Sequence, residues 1–231
     1  MTVDIITLFP DMFAGPFDES MIKRAREKGL VTITFHNLRK WAIDERGTVD
    51  DRPYGGGPGM LLRPEPLFDA VKEIKANRSK ELKQYNAKTI LLDAGGRKYT
   101  QQTAQEFSQL DHIILICGHY EGVDYRVHEH LADDVISIGD YVLTGGEIPA
   151  MVVIDSVVRL LPGVLNKEEA TSLESFQPSS LLEYPQYTRP EKFNDYVVPE
   201  ILLKGHHGQI DTWRKEQSLK RTRSNRSDLF T

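Results

Sequence analysis

The stretch SIGDYVLTGGEIPAM, residues 137–151, combines the end of an apolar run, a glycine-bearing loop and the start of a second apolar segment. The run DVISIG at 134–139 predicts a buried strand, and residues 148–161 predict a helix. Gly145 and Gly146 allow the backbone to approach a neighbour closely, because neither carries a Cβ atom. The carboxylates of Asp140 and Glu147 argue against a bare phosphate as the ligand of this loop.

The same order of strand, loop and helix occurs twice upstream. KTILLD at 88–93, followed by a turn at AGG, and HIILICG at 112–118 predict strands, and each precedes a predicted helix, at 100–109 and 123–131. Strands that alternate with helices predict an α/β fold with a parallel sheet, which binds its ligands at the carboxyl ends of the strands. The loops DAGG (93–96), GHYEG (118–122) and GDYVLTGG (139–146) all follow such ends, so we expect them to form one site.

The rest of the chain extends this pattern and then breaks it. Further strands are predicted over 3–9 and 30–35, and further helices over 20–28 and 64–77. Residues 166–180 are polar and acidic with little periodicity, which is typical of a linker, and the chain becomes helical again from Pro199. We expect a first domain over 1–162, a flexible linker over 163–178 and a C-terminal domain over 179–231.

Composition limits the class of protein. Hydrophobic residues make up 39% and charged residues 27% of the chain, proportions that predict a globular, soluble protein. No apolar run is long enough to span a bilayer, and the first residues lack the basic segment of a signal peptide, so we expect a cytoplasmic protein. Cys117 is the only cysteine, which excludes an intrachain disulfide and a multi-cysteine zinc site.

Charge is distributed unevenly. The net charge is −5, yet residues 204–231 hold seven Lys and Arg against three Asp and Glu, so this tail carries +4 and the first 203 residues carry −9. A basic tail on an acidic body predicts a polyanionic partner at the C-terminal end, although a solvated helix face has the same composition.

Several common motifs are missing. FPDMFAG follows the first strand where a dinucleotide site would have Gly-x-Gly-x-x-Gly, and the sequence contains no P-loop, zincin motif or nucleophile elbow. His128 and His130 flank Glu129 without the spacing of metal ligands. These absences argue against a nicotinamide-dependent oxidoreductase and provide no candidate metal site.

Six blocks of sequence together resemble one enzyme family, the bacterial tRNA (guanine-N1)-methyltransferases of the SPOUT class. The blocks are RPYGGGPGML (52–61), CGHYEGVD (117–124), SIGDYVLTGGEIPAM (137–151), DSVVRLLPGVL (155–165), YPQYTRP (184–190) and WRKEQSLKRT (213–222). They occur in the family's order and extend almost from end to end.

The resemblance implies an α/β fold with a SPOUT-type parallel sheet containing a deep trefoil knot, plus a small, mainly helical C-terminal domain. It implies a homodimer with active sites built from both chains. The methyl donor would be S-adenosyl-L-methionine, and the substrate would be guanosine at position 37 of tRNA, gripped at its anticodon stem-loop by the basic C-terminal domain. The family is magnesium-dependent, but no magnesium site is visible in the sequence.

The resemblance also implies site residues. Those for the methyl donor are Leu91, Leu92, Asp93, Ala94, Gly118, Tyr120, Glu121, Ser137, Ile138, Gly139, Tyr141, Leu143, Gly145, Gly146 and Pro149. Those for the target base and the tRNA are Asp50, Tyr54, Gly57, Gly59, Arg189, Arg214, Lys220 and Arg221. In the turn at 93–96, Asp93 and Ala94 depart from the serine and proline that are common in the family.

Two residues would carry the chemistry. Arg159 stands where the family has an arginine that stabilises the charge on guanine O6, and Glu174 stands where the family has an aspartate base. Three alternatives follow from this glutamate: it is the base, the base is Glu168 or Glu169, or activity is reduced. A ribose 2′-hydroxyl methyltransferase of the same class and a non-catalytic RNA-binding protein are the rival functions.

Overall fold

The computed structural model describes residues 1–79, 86–165, 174–176 and 181–230. The chain divides into two compact units, Met1–Asn166 and Lys167–Thr231. Most of the predicted linker at 163–178 falls outside the described residues, and the roles assigned to the two domains stay predictions. None of the described helices is both long and apolar enough to cross a membrane.

The first unit contains a parallel sheet with helices on both faces, which confirms the predicted α/β fold. Its strands are β1 (Thr2–Thr7), β2 (Thr32–Asn37), β3 (Asp50–Asp51), β4 (Leu61–Leu62), β5 (Ala87–Lys98), β6 (His112–Cys117) and β7 (Asp134–Ser137). Its α-helices are α1 (Ser20–Glu27), α2 (Pro64–Ser79), α3 (Gln101–Ser108), α4 (Tyr125–His130) and α5 (Glu147–Val158), with short 3-10 helices at Pro10–Phe13 and Leu38–Trp41. The deep trefoil knot stays a prediction.

The sheet has the order β2-β1-β6-β5-β7, and β3 and β4 form a separate antiparallel pair. β6 lies in the centre and every one of its residues is buried, as its continuous apolar run predicts. Side chains of β1 alternate between the two faces of the sheet. Val3 and Ile5 pack in the cluster that includes α1, α3 and α5, while Ile6 packs in the cluster that includes α2 and α4.

A buried carboxylate, which the sequence analysis did not identify, joins four elements beside this core. Asp4 on β1 is 1% exposed, and its oxygens lie 2.6 Å from His36 Nε2 on β2 and 2.8 Å from His112 Nε2 on β6. Arg78 Nε on α2 donates to Asp4 at 3.2 Å. Burial raises the pKa of Asp4, but the hydrogen bonds from His112, His36 and Arg78, with the Arg78 charge, outweigh it and hold the pKa well below its ordinary value.

The predicted turn at AGG is wrong, because β5 continues through it to Lys98. β5 pairs with β7 on both sides of a register shift between Leu92 and Arg97. Gly96 makes this possible, because a Cβ there would lie 2.6 Å from the backbone of Val135 and Ile136. The glycine therefore allows a bulge inside a strand rather than a turn after it.

The second unit is mainly helical, as predicted, with a two-stranded hairpin that the sequence did not indicate. Its elements are β8 (Lys192–Phe193), β9 (Tyr196–Val197) and α6 (His207–Asn225), with 3-10 helices at Glu200–Leu202 and Ser227–Phe230. The inner face of α6 includes Ile210 and Thr222, which are buried, and Ser218. Ser218 Oγ donates to the Leu182 carbonyl and Thr222 Oγ1 accepts from the Leu182 N–H. The inner face of α6 therefore includes polar residues that contact the rest of the unit through hydrogen bonds, which the spacing of apolar residues does not predict.

Candidate active site

A cleft lies at the carboxyl ends of β6 and β7 and at the bulge of β5 between Leu92 and Arg97, where the three glycine-bearing segments meet as predicted. It has about 670 Å³ of empty space, open solvent at its mouth included. The residues that line it are Leu92, Asp93, Ala94, Gly118, His119, Tyr120, Glu121, Gly122, Ile136, Ser137, Ile138, Gly139, Tyr141, Val142, Leu143, Thr144, Gly145, Gly146 and Pro149.

The cleft brings together the residues predicted to bind a methyl donor, with one exception. Leu91 is fully buried in the core cluster with α2 and α4, whereas its neighbour Leu92 lines the cleft. This follows from the alternation of side chains along β5. The lining residues that the sequence analysis did not select are His119, Gly122, Ile136, Val142 and Thr144. All but Ile136 lie in the glycine-bearing loops, so position in those loops is the signal that could have found them.

Two of the loops are in direct backbone contact. Gly146 N donates to the Gly118 carbonyl at 2.8 Å, and a Cβ built on Gly146 would lie 2.7 Å from Cys117 Cα and 2.9 Å from Gly118 N. Real Cβ atoms do not approach other atoms so closely, so only glycine fits between these backbones. The contact fixes the loop after β7 against the loop after β6, and α5 begins from it at Glu147.

The polar groups of the cleft suit a cationic ligand. Asp93 and Glu121 are the carboxylates among the described lining residues, which include no Lys or Arg. The Gly95 N–H donates to Asp93 Oδ1 at 2.7 Å, and His128 Nε2 lies 3.5 Å from its other oxygen. Carboxylates accept hydrogen bonds from hydroxyl and amino groups and attract a positive charge. The lining therefore fits a cationic ligand with hydroxyl or amino groups better than it fits a phosphate.

The loop predicted to face the target base adjoins the cleft. Glu121 N donates to the Met60 carbonyl at 3.1 Å, and Leu62 N donates to the Gly122 carbonyl at 3.0 Å. Gly59 has a φ of +80°, and a Cβ there would lie 2.3 Å from Glu121 Cγ, so the Glu121 side chain passes directly over this glycine. The cleft and the glycine-rich loop are therefore neighbours in space.

The remaining residues of that loop are accessible. Asp50 lies on β3, opposite Leu62 on β4, and is partly exposed. The Tyr54 side chain is fully exposed at the tip of the loop. Gly57 has a φ of +131°, which favours glycine whatever the surrounding space.

Arg159 lies away from the cleft of its own chain. It caps the C-terminus of α5, where its N–H donates to the Asp155 carbonyl at 3.2 Å, whereas the cleft contacts the N-terminus of this helix. At a rise of about 1.5 Å per residue, Arg159 lies roughly 20 Å along the helix from Gly146.

Comparison with known proteins decides the family. The family model described as tRNA (Guanine-1)-methyltransferase TrmD matches residues 1–231. This chain belongs to that family. Proteins named tRNA (guanine-N(1)-)-methyltransferase from Anoxybacillus flavithermus and Geobacillus kaustophilus are each 53% identical to it over 230 residues, covering 100% of this chain and 91% of theirs. The protein of the same name from Carboxydothermus hydrogenoformans is 52% identical, covering 100% and 87%. The family resemblance noted in the sequence is confirmed.

The predicted base of this TrmD-family chain lies in the second unit. Glu174 is partly buried, and its neighbour Ser175 accepts a hydrogen bond at its Oγ from Glu183 N at 2.9 Å. The alternatives Glu168 and Glu169 lie outside the described residues. The assignment of the base therefore stays a prediction.

The four residues predicted to grip tRNA have different surroundings. Arg189 and Lys220 are exposed. Arg221 is exposed and donates to the Glu183 carbonyl at 3.0 Å. The Arg214 guanidinium lies 4.8 Å from the centroid of the Tyr184 ring and 3.5 Å from Asp211, so it also contributes to packing within the unit.

No magnesium site can be assigned to the described residues of this TrmD-family chain. Nowhere in those ranges do three His, Cys, Asp or Glu side chains converge as metal ligands. The side chains of His128, Glu129 and His130 do not converge either. His128 faces Asp93, while His130 lies 3.8 Å from Glu129 near the surface.

Proposed function

We propose that this chain is an S-adenosyl-L-methionine-dependent methyltransferase that modifies N1 of guanosine at position 37 of tRNA. Membership of the TrmD family supports the methyl donor, the reaction and the tRNA substrate. The observation that carries the proposal is the cleft, because loops from three adjacent strands converge there around two carboxylates and a tight glycine contact. A tRNA substrate supports a cytoplasmic location for the proposed activity.

The chain's own residues provide a fitted donor site. Glu121 accepts hydrogen bonds from the ribose hydroxyls, and backbone groups of Ser137, Ile138 and Gly139 meet the adenine. Gly145 and Gly146 let the loop after β7 pack closely beside the donor site, because a Cβ on Gly145 would lie 2.4 Å from Glu147 Oε2 and a Cβ on Gly146 would lie 2.7 Å from Cys117 Cα. When bound, S-adenosyl-L-methionine supplies a methyl group on a positively charged sulfur, which is transferred in line to the guanine nitrogen.

The target guanine needs help from two side chains, because its N1 carries a proton at neutral pH and its lone pair is delocalised. Glu174 accepts the N1 proton, and the guanidinium of Arg159 donates hydrogen bonds to O6, where negative charge develops. Arginine suits this role because it keeps its charge and offers several donors in one plane. A carboxylate is a stronger base once water is excluded from it, so Glu174 acts best when tRNA covers the site.

A homodimer with shared active sites supplies the missing arginine. Arg159 lies roughly 15 Å along α5 from Pro149, the last residue of this helix that lines the cleft of its own chain, so a second copy of α5, running antiparallel, would bring its own Arg159 to this cleft. The exposed face of α5 suits such a contact: Ile148 is 47% and Val152 43% exposed, one turn apart. Phe9 and Met12, also exposed, lie at the 3-10 helix that packs beside α5 and extend the apolar surface.

The second unit grips the tRNA through its basic helix. Lys215, Lys220 and Arg223 are exposed on α6, and Arg189 is exposed on the segment before β8. Contacts of this kind neutralise phosphates without reading sequence, so they position the anticodon stem-loop rather than select the base.

Methyl transfer from labelled S-adenosyl-L-methionine to paired tRNA transcripts tests the proposal. One transcript carries guanosine at positions 36 and 37, and its matched control carries adenosine at 37. Label in the first transcript alone, recovered as 1-methylguanosine, supports the proposed reaction. Label recovered as a 2′-O-methylated nucleoside would instead favour the ribose methyltransferase. Donor binding without any transfer would favour a non-catalytic RNA-binding protein.

A further inference from the structure

Asp93 places a carboxylate in the lining of the cleft, at the bulge of β5. Its Oδ1 atom accepts a hydrogen bond from Gly95 N at 2.7 Å, so the backbone of the bulge orients the side chain. Of the side-chain surface, 29% is exposed. The methyl-transfer scheme gives the charge of this residue no role.

His128 on α4 contacts the other oxygen of this carboxylate. Its Nε2 lies 3.5 Å from Asp93 Oδ2, and its ring stacks on that of Tyr125, with 5.0 Å between centroids and 20° between planes. Its Nδ1 is buried and has no hydrogen-bond partner among the described residues. An imidazolium would place a second N–H at this atom, and a buried N–H without an acceptor costs free energy. The contact therefore favours a neutral ring, which does not cancel the charge of Asp93.

Among the described lining residues, no Lys or Arg offsets this charge, and Glu121 adds a second carboxylate. Arg97, at the far end of the bulge, is engaged by another partner, because its Nη2 lies 2.6 Å from Asp134 Oδ2. The described lining therefore carries an excess of negative charge. Such a cleft attracts a positively charged group on a ligand and gives a neutral group no comparable stabilisation.

The donor and the product of methyl transfer differ by one charge. In S-adenosyl-L-methionine the sulfur is a positively charged sulfonium. The bonding electrons stay on sulfur when the methyl group leaves, so the product, S-adenosyl-L-homocysteine, contains a neutral thioether. The adenine, the ribose and the amino acid part are the same in both molecules. A carboxylate near the sulfur can therefore distinguish the two by charge, whereas a group that contacts the shared parts cannot.

We propose that Asp93 is a specificity-determining residue that favours the methyl donor over the product. Its carboxylate attracts the sulfonium, and this attraction is lost once the methyl group has been transferred, which assists product release. Glu121, in contrast, accepts hydrogen bonds from ribose hydroxyls that both molecules have. This inference rests on the proposed function and extends it to the exchange of product for donor.

Two variants remove the charge. Asp93→Asn has nearly the same shape, and its amide oxygen can still accept the hydrogen bond from Gly95 N. Asp93→Ser introduces the residue that is common in the family at this position, so it carries the test even where the Asn variant does not fold. Glu129→Gln is the matched control, because it removes the same charge from α4, beside His128, at a side chain that is 54% exposed and lies outside the cleft lining.

Calorimetry at one fixed pH gives the dissociation constants for S-adenosyl-L-methionine and S-adenosyl-L-homocysteine. We expect both Asp93 variants to raise the Kd of the donor about tenfold and to leave that of the product within about twofold of wild type, because a unit charge in a partly exposed cleft changes a binding constant by about this factor. Added salt should weaken donor binding more in the wild type than in the variants. Glu129→Gln should match the wild type.

Steady-state kinetics with tRNA provide a second readout. The donor KM should rise about tenfold in the Asp93 variants, with kcat within about threefold of wild type, because the carboxylate stabilises the bound donor and takes no part in the transfer.

Three results would overturn the proposal. Equal weakening of donor and product would show that Asp93 contacts a part that both molecules share. Unchanged donor affinity in both variants would show that its charge does not act on the ligand, and an equally large effect in Glu129→Gln would show that any nearby charge suffices. Failure of the proposed function looks different: the wild-type protein would bind neither molecule, or would bind the donor and transfer no methyl group to guanosine.

Discussion

Gly146 provides the sharpest test of how the cleft is built. A Cβ at this position would lie 2.7 Å from Cys117 Cα, 2.9 Å from Gly118 N and 3.1 Å from the Cys117 carbonyl carbon. All three are backbone atoms at the end of β6 and the start of the loop after it, so no side chain can rotate away. Gly146 itself has φ −82° and ψ −2°, a conformation that alanine adopts without strain. Gly146→Ala therefore tests the close approach alone.

The structure also sets the size of the effect. Overpacking by one methyl group costs about 1–3 kcal/mol, and separating the loops weakens the hydrogen bond from Gly146 N to the Gly118 carbonyl, worth about 1 kcal/mol. We expect the two effects together to destabilise the contact between the two loops by about 3 kcal/mol. Where the loops part without global unfolding, this corresponds to donor binding about 100-fold weaker, because 1.4 kcal/mol changes an equilibrium constant tenfold.

Calorimetric titration with S-adenosyl-L-methionine and urea denaturation measure the two effects together. Gly208→Ala is the matched control, since a Cβ there meets nothing within 4 Å and the residue lies in α6. It should leave donor binding unchanged and stability equal or slightly higher. Wild-type affinity and stability in Gly146→Ala would refute the reasoning, because it would show that the loops move apart at no cost.

Three further predictions concern other parts of the chain. Asp4→Asn should lower the free energy of unfolding by about 3 kcal/mol at pH 7, measured in urea, because it leaves Arg78 and two histidines around a neutral amide. Since the folded-state pKa of Asp4 lies below its ordinary value of 3.8, the carboxylate's contribution is present above that pH and is lost as the pH falls below it. The gap between wild type and variant should therefore narrow in acid, and a constant gap would contradict the assignment. Arg159→Ala should bind S-adenosyl-L-methionine normally but transfer methyl groups at least about 100-fold more slowly; loss of donor binding would place Arg159 elsewhere. Glu174→Gln should likewise bind S-adenosyl-L-methionine normally and transfer methyl groups far more slowly. Near-normal turnover in this variant would mean that another residue is the base. Comparison with Glu174→Asp would show whether the loop is adapted to the longer side chain.

The proposed dimer connects two of these predictions. If Arg159 acts on the cleft of the partner, a mixture of Arg159→Ala and Gly146→Ala chains should regain activity, because one of the two sites in a mixed dimer combines an intact cleft with an intact arginine. Two sites that each used a single chain would show no such recovery.

The sequence alone determined the type of fold and the family. Alternating apolar runs predicted the strands and helices of the sheet, because burial on both faces leaves a local signature in each segment. The position of glycines after three strands predicted that the three loops would meet, since parallel strands end at one edge. Six blocks in order indicated the family, and the comparison confirmed it.

Contacts between distant segments were decided only by the tertiary structure. Asp4 and His112 are 108 residues apart, and Thr7 and Glu147 are 140 apart, so no local pattern links them. Leu91 and Leu92 look equivalent in sequence, yet only Leu92 lines the cleft, because successive side chains of a strand point to opposite faces. Gly96 looked like a turn residue, but the backbone of β7 packed against it keeps it in a strand. Periodicity records how each segment is buried, whereas these features depend on which partner the folded chain brings to each residue.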